Sequence, residues 1–184
     1  MTFLFDINKS IAATGYLINK AGGKWTVLFL VKALYYANRK SLVQYGRSIT
    51  GDSLAAMANG PVVSNTYDLI KRGGLAKQSD LDRWRIFISE RNGNFLRIVK
   101  EPDYGYLSPQ EVRLLDDAFQ VVSNVKETLN NWSHRYFPEW EDPGKGSTPI
   151  DPKTILSLEK IDGKDISKIE DEIASVDWLK AYAA

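Results

Sequence analysis

Apolar residues recur at helical spacing from the start of the chain. Ile7, Ile11, Gly15 and Ile18 fall on one face, Asp6 precedes them as an N-cap, and Ala21-Gly22-Gly23 ends the run. A second helix is predicted from Thr26, a good cap, toward Leu42, with Gly46 closing the region. Leu30, Leu34 and Ala37 make one stripe along it, and Val27, Val31, Leu34 and Tyr35 an overlapping one. So much of its surface is apolar that this helix is expected to be central and the most buried. Residues 47–63 are less regular. Thr50-Gly51-Asp52 reads as a turn, Gly60-Pro61 as a break, and Val62-Val63 as a short extended piece. A third helix is predicted over Asn65 to Arg72, with Tyr67 and Ile70 inward and Gly73-Gly74 as its stop.

The period then changes. Trp84, Ile86 and Ile88 alternate with Arg83, Arg85 and Phe87, and Phe95 to Val99 is again strand-like. Asn92-Gly93 between them is the preferred type I′ turn, because both residues tolerate positive φ, so a β-hairpin is predicted. Leu107-Ser108-Pro109-Gln110-Glu111 is a strong helix start: Ser108 caps, Pro109 sits at N1, Glu111 completes a capping box, and Leu107 and Val112 are placed for a hydrophobic staple. Val112, Leu115, Phe119, Val122 and Leu129 trace one face of a single long helix running to about Asn131. An aromatic stretch from Trp132 to Trp140 follows, then a Pro/Gly/Asp/Ser-rich connection over Glu141 to Pro152. A last amphipathic helix carries Ile166, Ile169, Ile173 and Val176, with Trp178 and Leu179 near its end. The expected architecture is mainly α within the α+β class. Residues 1–140 form a compact helical domain with one β-hairpin, and residues 141–184 a linker and helical extension packed on or beside it.

Composition narrows the function classes. With 184 residues and 43% apolar content, one domain with a proper core is expected. No apolar run approaches the roughly 18 residues a membrane helix needs, and the first residues lack a basic n-region and an apolar h-region. The absence of cysteine excludes disulfides, thiol catalysis and cysteine zinc sites, and fits a cytoplasmic protein. His134 is the sole histidine, which excludes multi-histidine metal sites. There is no Gly-x-Ser-x-Gly elbow, no phosphate-binding P-loop and no dinucleotide fingerprint. Asp116-Asp117 and Glu170-Asp171-Glu172 read as charged outer faces of helices. No catalytic constellation, cofactor or metal is expected, and the chain is expected to work by binding.

The net charge of +1 conceals an uneven distribution. Lys71, Arg72, Lys77, Arg83, Arg85, Arg91, Arg97 and Lys100 are opposed only by Asp80, Asp82 and Glu90, and from Glu139 onward the balance is acidic. Arginines on a hairpin beside helices suit a winged-helix contact with DNA phosphates, an electropositive patch for an acidic protein, or the solvated face of a half-buried hairpin.

One ordered set of residues is distinctive. Lys32-Ala33-Leu34-Tyr35-Tyr36-Ala37-Asn38-Arg39 is followed by Gly46, by Thr50-Gly51-Asp52, by Ala55 to Val62 containing Gly60-Pro61, and by Ser133-His134 ahead of Pro138 and Trp140. Over roughly residues 7 to 140 this set resembles the Panacea domain, the SocA-like antitoxin family, which includes phage-associated relatives. Asn59 departs from the family, which usually has an aromatic residue or histidine before Gly-Pro. The resemblance implies an antitoxin that neutralises a cognate toxin by direct binding, or a proteolytic adaptor delivering its toxin to a AAA+ protease, and brings no catalytic residue set. A DNA-binding regulator that represses its own operon is the alternative. Candidate partner contacts are Tyr35, Tyr36 and Arg39 on the second helix, Trp132, His134 and Trp140 in the aromatic stretch, and Arg83, Arg85 and Arg97 in the basic segment. For the first two groups the competing assignment is core packing.

Overall fold

The computed structural model describes residues 1–72 and 76–182. Helix α1 (Ile7–Lys20) begins where its cap lies: Asp6 accepts hydrogen bonds from the backbone N–H groups of Asn8 and Lys9. A short strand β1 (Lys24–Thr26) leads into α2 (Val27–Tyr45), which ends at Gly46 in the left-handed region at φ 64°. Helix α2 is the axis of the core. Leu30, Ala33, Leu34, Tyr35 and Ala37 are fully buried, as the two overlapping apolar stripes require.

Strands β2 (Leu54–Met57) and β3 (Val62–Val63) follow, joined by a turn through Gly60. Helix α3 (Ser64–Lys71) comes next; Ile70 is buried and Tyr67 partly so, while the anticipated Gly73-Gly74 stop lies outside the described residues. The residue at the N-cap of α3, Val63, has no side chain to cap with. Asp52 does this work from the preceding loop, accepting from Asn65 N, Thr66 N and Thr66 Oγ1 at 2.7, 2.9 and 2.6 Å.

The expected first arm of the hairpin is instead a helix, α4 (Gln78–Phe87). Leu81, Trp84 and Ile88 are buried and stand at helical intervals, whereas Ile86, which a strand would place beside Trp84 and Ile88, is 51% exposed. The alternation is a local coincidence that the longer helical period overrides. The turn itself forms, with Asn92 and Phe95 exchanging backbone hydrogen bonds of 3.0 and 3.1 Å and Gly93 at φ 58°. Beyond it, β4 (Phe95–Arg97) pairs antiparallel with β1, matching Lys24 with Arg97 and Trp25 with Leu96, and the chain preceding the turn contributes an isolated bridge between Ile88 and Ile98.

Helix α5 (Pro109–Ser123) opens on the expected capping box, in which Ser108 N donates to Glu111 Oε2 and Glu111 N to Ser108 Oγ. It is shorter than expected. Asn124 turns its side chain back onto the Gln120 carbonyl, and Thr128 caps a separate helix α6 (Leu129–Tyr136), so Leu129 belongs to the next element. The Pro/Gly-rich connection contains a strand, β5 (Ser147–Ile150), followed by α7 (Pro152–Leu158) and α8 (Gly163–Tyr182).

Among the described residues two small antiparallel sheets result: β1-β4, and β3-β2-β5 with Leu54 opposite both Val63 and Ile150. Helix α2 is packed by α1, α5, α6, α7 and β3. Ile155 and Leu156 of α7 are fully buried, so the chain beyond residue 140 is part of the core. Ile166 and Ile169 of α8 pack against that core, whereas Trp178 and Leu179 near its end are exposed.

Candidate functional site

Helix α2 carries an apolar run from Val27 to Val31, and the next residue, Lys32, follows it into the interior. Its side chain is 1% exposed. The ammonium donates one hydrogen bond, to the Pro61 carbonyl at 2.9 Å, and no carboxylate among the described residues pairs with it. Burial pushes its pKa down to about 7. Above it runs the β2–β3 turn, closed by the Gly60 N–H on the Met57 carbonyl. Gly60 has φ 91°, and a Cβ there would stand 2.6 Å from Lys32 Nζ and collide with Ser133 Oγ, so this position needs glycine for both conformation and space.

Helix α6 closes the same region. Asn130 Nδ2 donates to Asn59 Oδ1 at 3.0 Å, tying α6 to the turn. Ser133 Oγ donates to the Asn130 carbonyl, and His134 lies flat on Trp140, with centroids 3.6 Å apart and an interplanar angle of 4°. These neighbours in sequence therefore face different partners, and no serine–histidine pair forms. Burial first, and then the Lys32 charge, hold the His134 pKa below its usual value. Trp140 Nε1 donates to the Met57 carbonyl at 2.9 Å.

A pocket of about 480 Å³ opens between the start of α2, the β2–β3 turn and the Asn92 turn. Val27, Val31 and Val62 supply apolar wall; Lys32, Asn59 and Asn130 supply polar groups. This is the size and mixture of a small-ligand or side-chain pocket.

A second buried network lies further along α2. Tyr35 OH donates to Glu139 Oε1 at 2.7 Å, Arg39 Nε donates to the same oxygen at 2.8 Å and Arg39 Nη2 to Glu139 Oε2 at 3.1 Å. Arg39 also pairs with Glu159 at 2.7 Å. These bonds fasten the segments after α6 and α7 to the central helix.

The expected contact residues thus divide. Tyr35, Tyr36 and Arg39 are buried, Tyr36 through a bond to Asp117, and are spent on internal contacts. Trp132 is partly buried, stacks on Tyr136 at 4.9 Å and meets Phe137 edge-on, while Tyr136 itself is 42% exposed. Arg83 and Arg85 are exposed on α4, Arg83 bonded to Asn8 and Arg85 paired with Asp82, and Arg97 is exposed on β4. The arginines therefore do not share a two-stranded wing. Lys32, Asn59 and Glu139 were not singled out as site residues from the chain; a lysine directly after an apolar run on the most buried helix was the available signal.

A family profile described as Antitoxin SocA-like, Panacea domain matches residues 30–141. The chain belongs to this antitoxin family. No curated protein and no solved structure matches it. In this Panacea protein the matched span holds Lys32, the Gly60 turn, Ser133, His134 and Glu139. It leaves out β5, which completes the β2 sheet, and Glu159, which completes the pairing of Arg39. Among the described residues no group of acids and histidine is arranged to hold a metal ion, and no helix is long and apolar enough to cross a membrane.

Proposed function

We propose that this Panacea protein is a cytoplasmic antitoxin that neutralises a cognate toxin by binding it directly and covering its working surface, with no cofactor. The family match over most of the folded core carries this reading. An occluding complex of this kind buries on the order of 1,200–2,000 Å². Because Tyr35, Tyr36 and Arg39 are internal, the contact falls to side chains that reach solvent: Tyr136 beside Tyr36 and Trp132 next to it on α6, and Asn59 on the β2–β3 turn, tied to α6 by Asn130.

The test is co-expression with the product of the adjacent gene. Growth arrest by the neighbour alone, with rescue and co-purification when this protein is present, is the expected outcome. Rescue without a stable complex points instead to an adaptor that hands the toxin to a protease, or to repression of its gene. A harmless neighbour that does not co-purify overturns the reading. The exposed Arg83, Arg85, Arg91 and Arg97 keep operator binding as a second activity. It would show as DNA affinity that falls steeply with salt, in proportion to the phosphates neutralised.

A further inference from the structure

Two cations are buried on α2, and the fold treats them differently. Arg39 has two carboxylates, Glu139 and Glu159. Lys32 has one carbonyl, which leaves two of its three N–H donors without a partner at the edge of an open pocket. Among the described residues no acidic side chain lines that pocket. The first turn of the nineteen-residue helix α2 does, with its positive dipole end, and Thr26, its N-cap, makes no side-chain capping bond. The Thr26 hydroxyl is buried with no partner. Asn59 and Asn94 add amide N–H donors, whereas the Asn130 amide donates to Asn59 and its oxygen is buried without a partner. The Lys32 charge and the α2 dipole favour an anion here, and a buried ammonium with unspent donors is costly until one arrives.

We propose that this pocket is the specific contact point for the toxin, and that it receives a carboxylate of the toxin, from an acidic side chain or its C-terminus, onto Lys32. This rests on the antitoxin reading for the identity of the partner, not for the chemistry of the pocket. A carboxylate fits better than a phosphate dianion. Arg91 at the rim spends its guanidinium on the Gly93 carbonyl and Asn94 Oδ1, so the floor offers one uncommitted charge. Val27, Val31 and Val62 make an apolar sleeve suited to the stem of a side chain.

Binding is linked to a proton. With Lys32 ionising at about 7 in the empty pocket, a carboxylate that favours the charged ammonium binds more tightly as pH falls from 8.5 to 6. Tyr67 from α3 and Arg91 from the turn also line this space, and His134 from α6, on which Asp142 acts, is close enough to feel the Lys32 charge.

The first experiment follows the side-chain Cε resonance of Lys32 by NMR in full-length protein labelled at lysine, assigned by its absence in Lys32→Met. Sodium butyrate is the probe, with butyramide as its neutral isostere and inorganic phosphate as competitor. The Lys32 titration midpoint is expected to rise by about one unit or more with butyrate and to stay in place with butyramide. Equal effects of butyrate and butyramide, or a larger effect of phosphate, overturn the proposal. The second experiment measures toxin affinity of Lys32→Met and of Asn59→Asp, which puts a repelling charge on the exposed rim without touching the core. Each is expected to weaken the complex tenfold or more. If a neighbouring toxin is neutralised equally well by both variants, the pocket proposal fails and the antitoxin reading stands. If no toxin exists but butyrate still shifts Lys32, the antitoxin reading fails and the pocket remains a carboxylate site for another partner. Should Lys32→Met not fold, Asn59→Asp and the butyrate titration of the parent decide.

Discussion

Lys32 and Arg39 show how differently a buried charge can be held. Lys32 ionises near 10.5 in the unfolded chain and at about 7 in the folded one, so between these values the unfolded chain holds the extra proton. Raising the pH through that window favours the fold; below it, the full cost of a charged Lys32 remains. Lys32→Met is therefore expected to be more stable than the parent by on the order of 2 kcal/mol at pH 6. The advantage should shrink toward pH 10, and urea denaturation at pH 6, 8 and 10 measures it. Arg39 behaves in the opposite way because its partners are built in. Glu139→Gln removes the charge that both Arg39 and Tyr35 use, and is expected to destabilise by about 3 kcal/mol. Tyr35→Phe should lose about 1 kcal/mol. Combining the two should cost less than their sum, since both act on one network, and a double-mutant cycle in denaturant reads that coupling.

Among the secondary elements, those whose boundaries are set by adjacent residues were legible from the chain. The Ser108–Glu111 capping box, the Asp6 cap and the Gly46 stop form as expected because each is satisfied within a few residues. Elements that depend on distant chain were not. Leu54-Ala55-Ala56-Met57 has the composition of a helix, and becomes strand β2 only because Val62-Val63 and Ser147–Ile150 flank it. Arg83 to Ile88 alternates like a strand, yet Leu81 and Trp84 pull it into α4. The same limit hid the site: Lys32 is next to apolar residues in sequence, but the turn and helix that make its pocket come from elsewhere. Helix α3 illustrates the dependence, since its cap, Asp52, lies outside it. Asp52→Ala should destabilise the protein by about 2 kcal/mol, and hydrogen exchange should show protection lost first in the amides of α3.

For the molecule as a whole, the family boundary and the folded unit do not coincide. The match ends at residue 141, but β5 supplies the second neighbour of β2, and α7 buries Ile155 and Leu156. Deleting residues 143–184 should therefore leave β2 with a bare edge and Arg39 without Glu159. The shortened protein is expected to melt at least several degrees lower and to self-associate in size-exclusion chromatography, whereas a freely dispensable tail would change neither.

The pairing of β2 with β5 also imposes an order in time. Strand β2 leaves the ribosome about 90 residues ahead of β5, so at ordinary translation rates β2 waits on the order of ten seconds for this partner. During that interval the nascent chain has made Arg39 and the Lys32 turn but has neither Glu159 nor a closed sheet. Each newly made molecule thus passes through a period in which β2, paired with β3 alone, leaves its other edge open to proteases and chaperones.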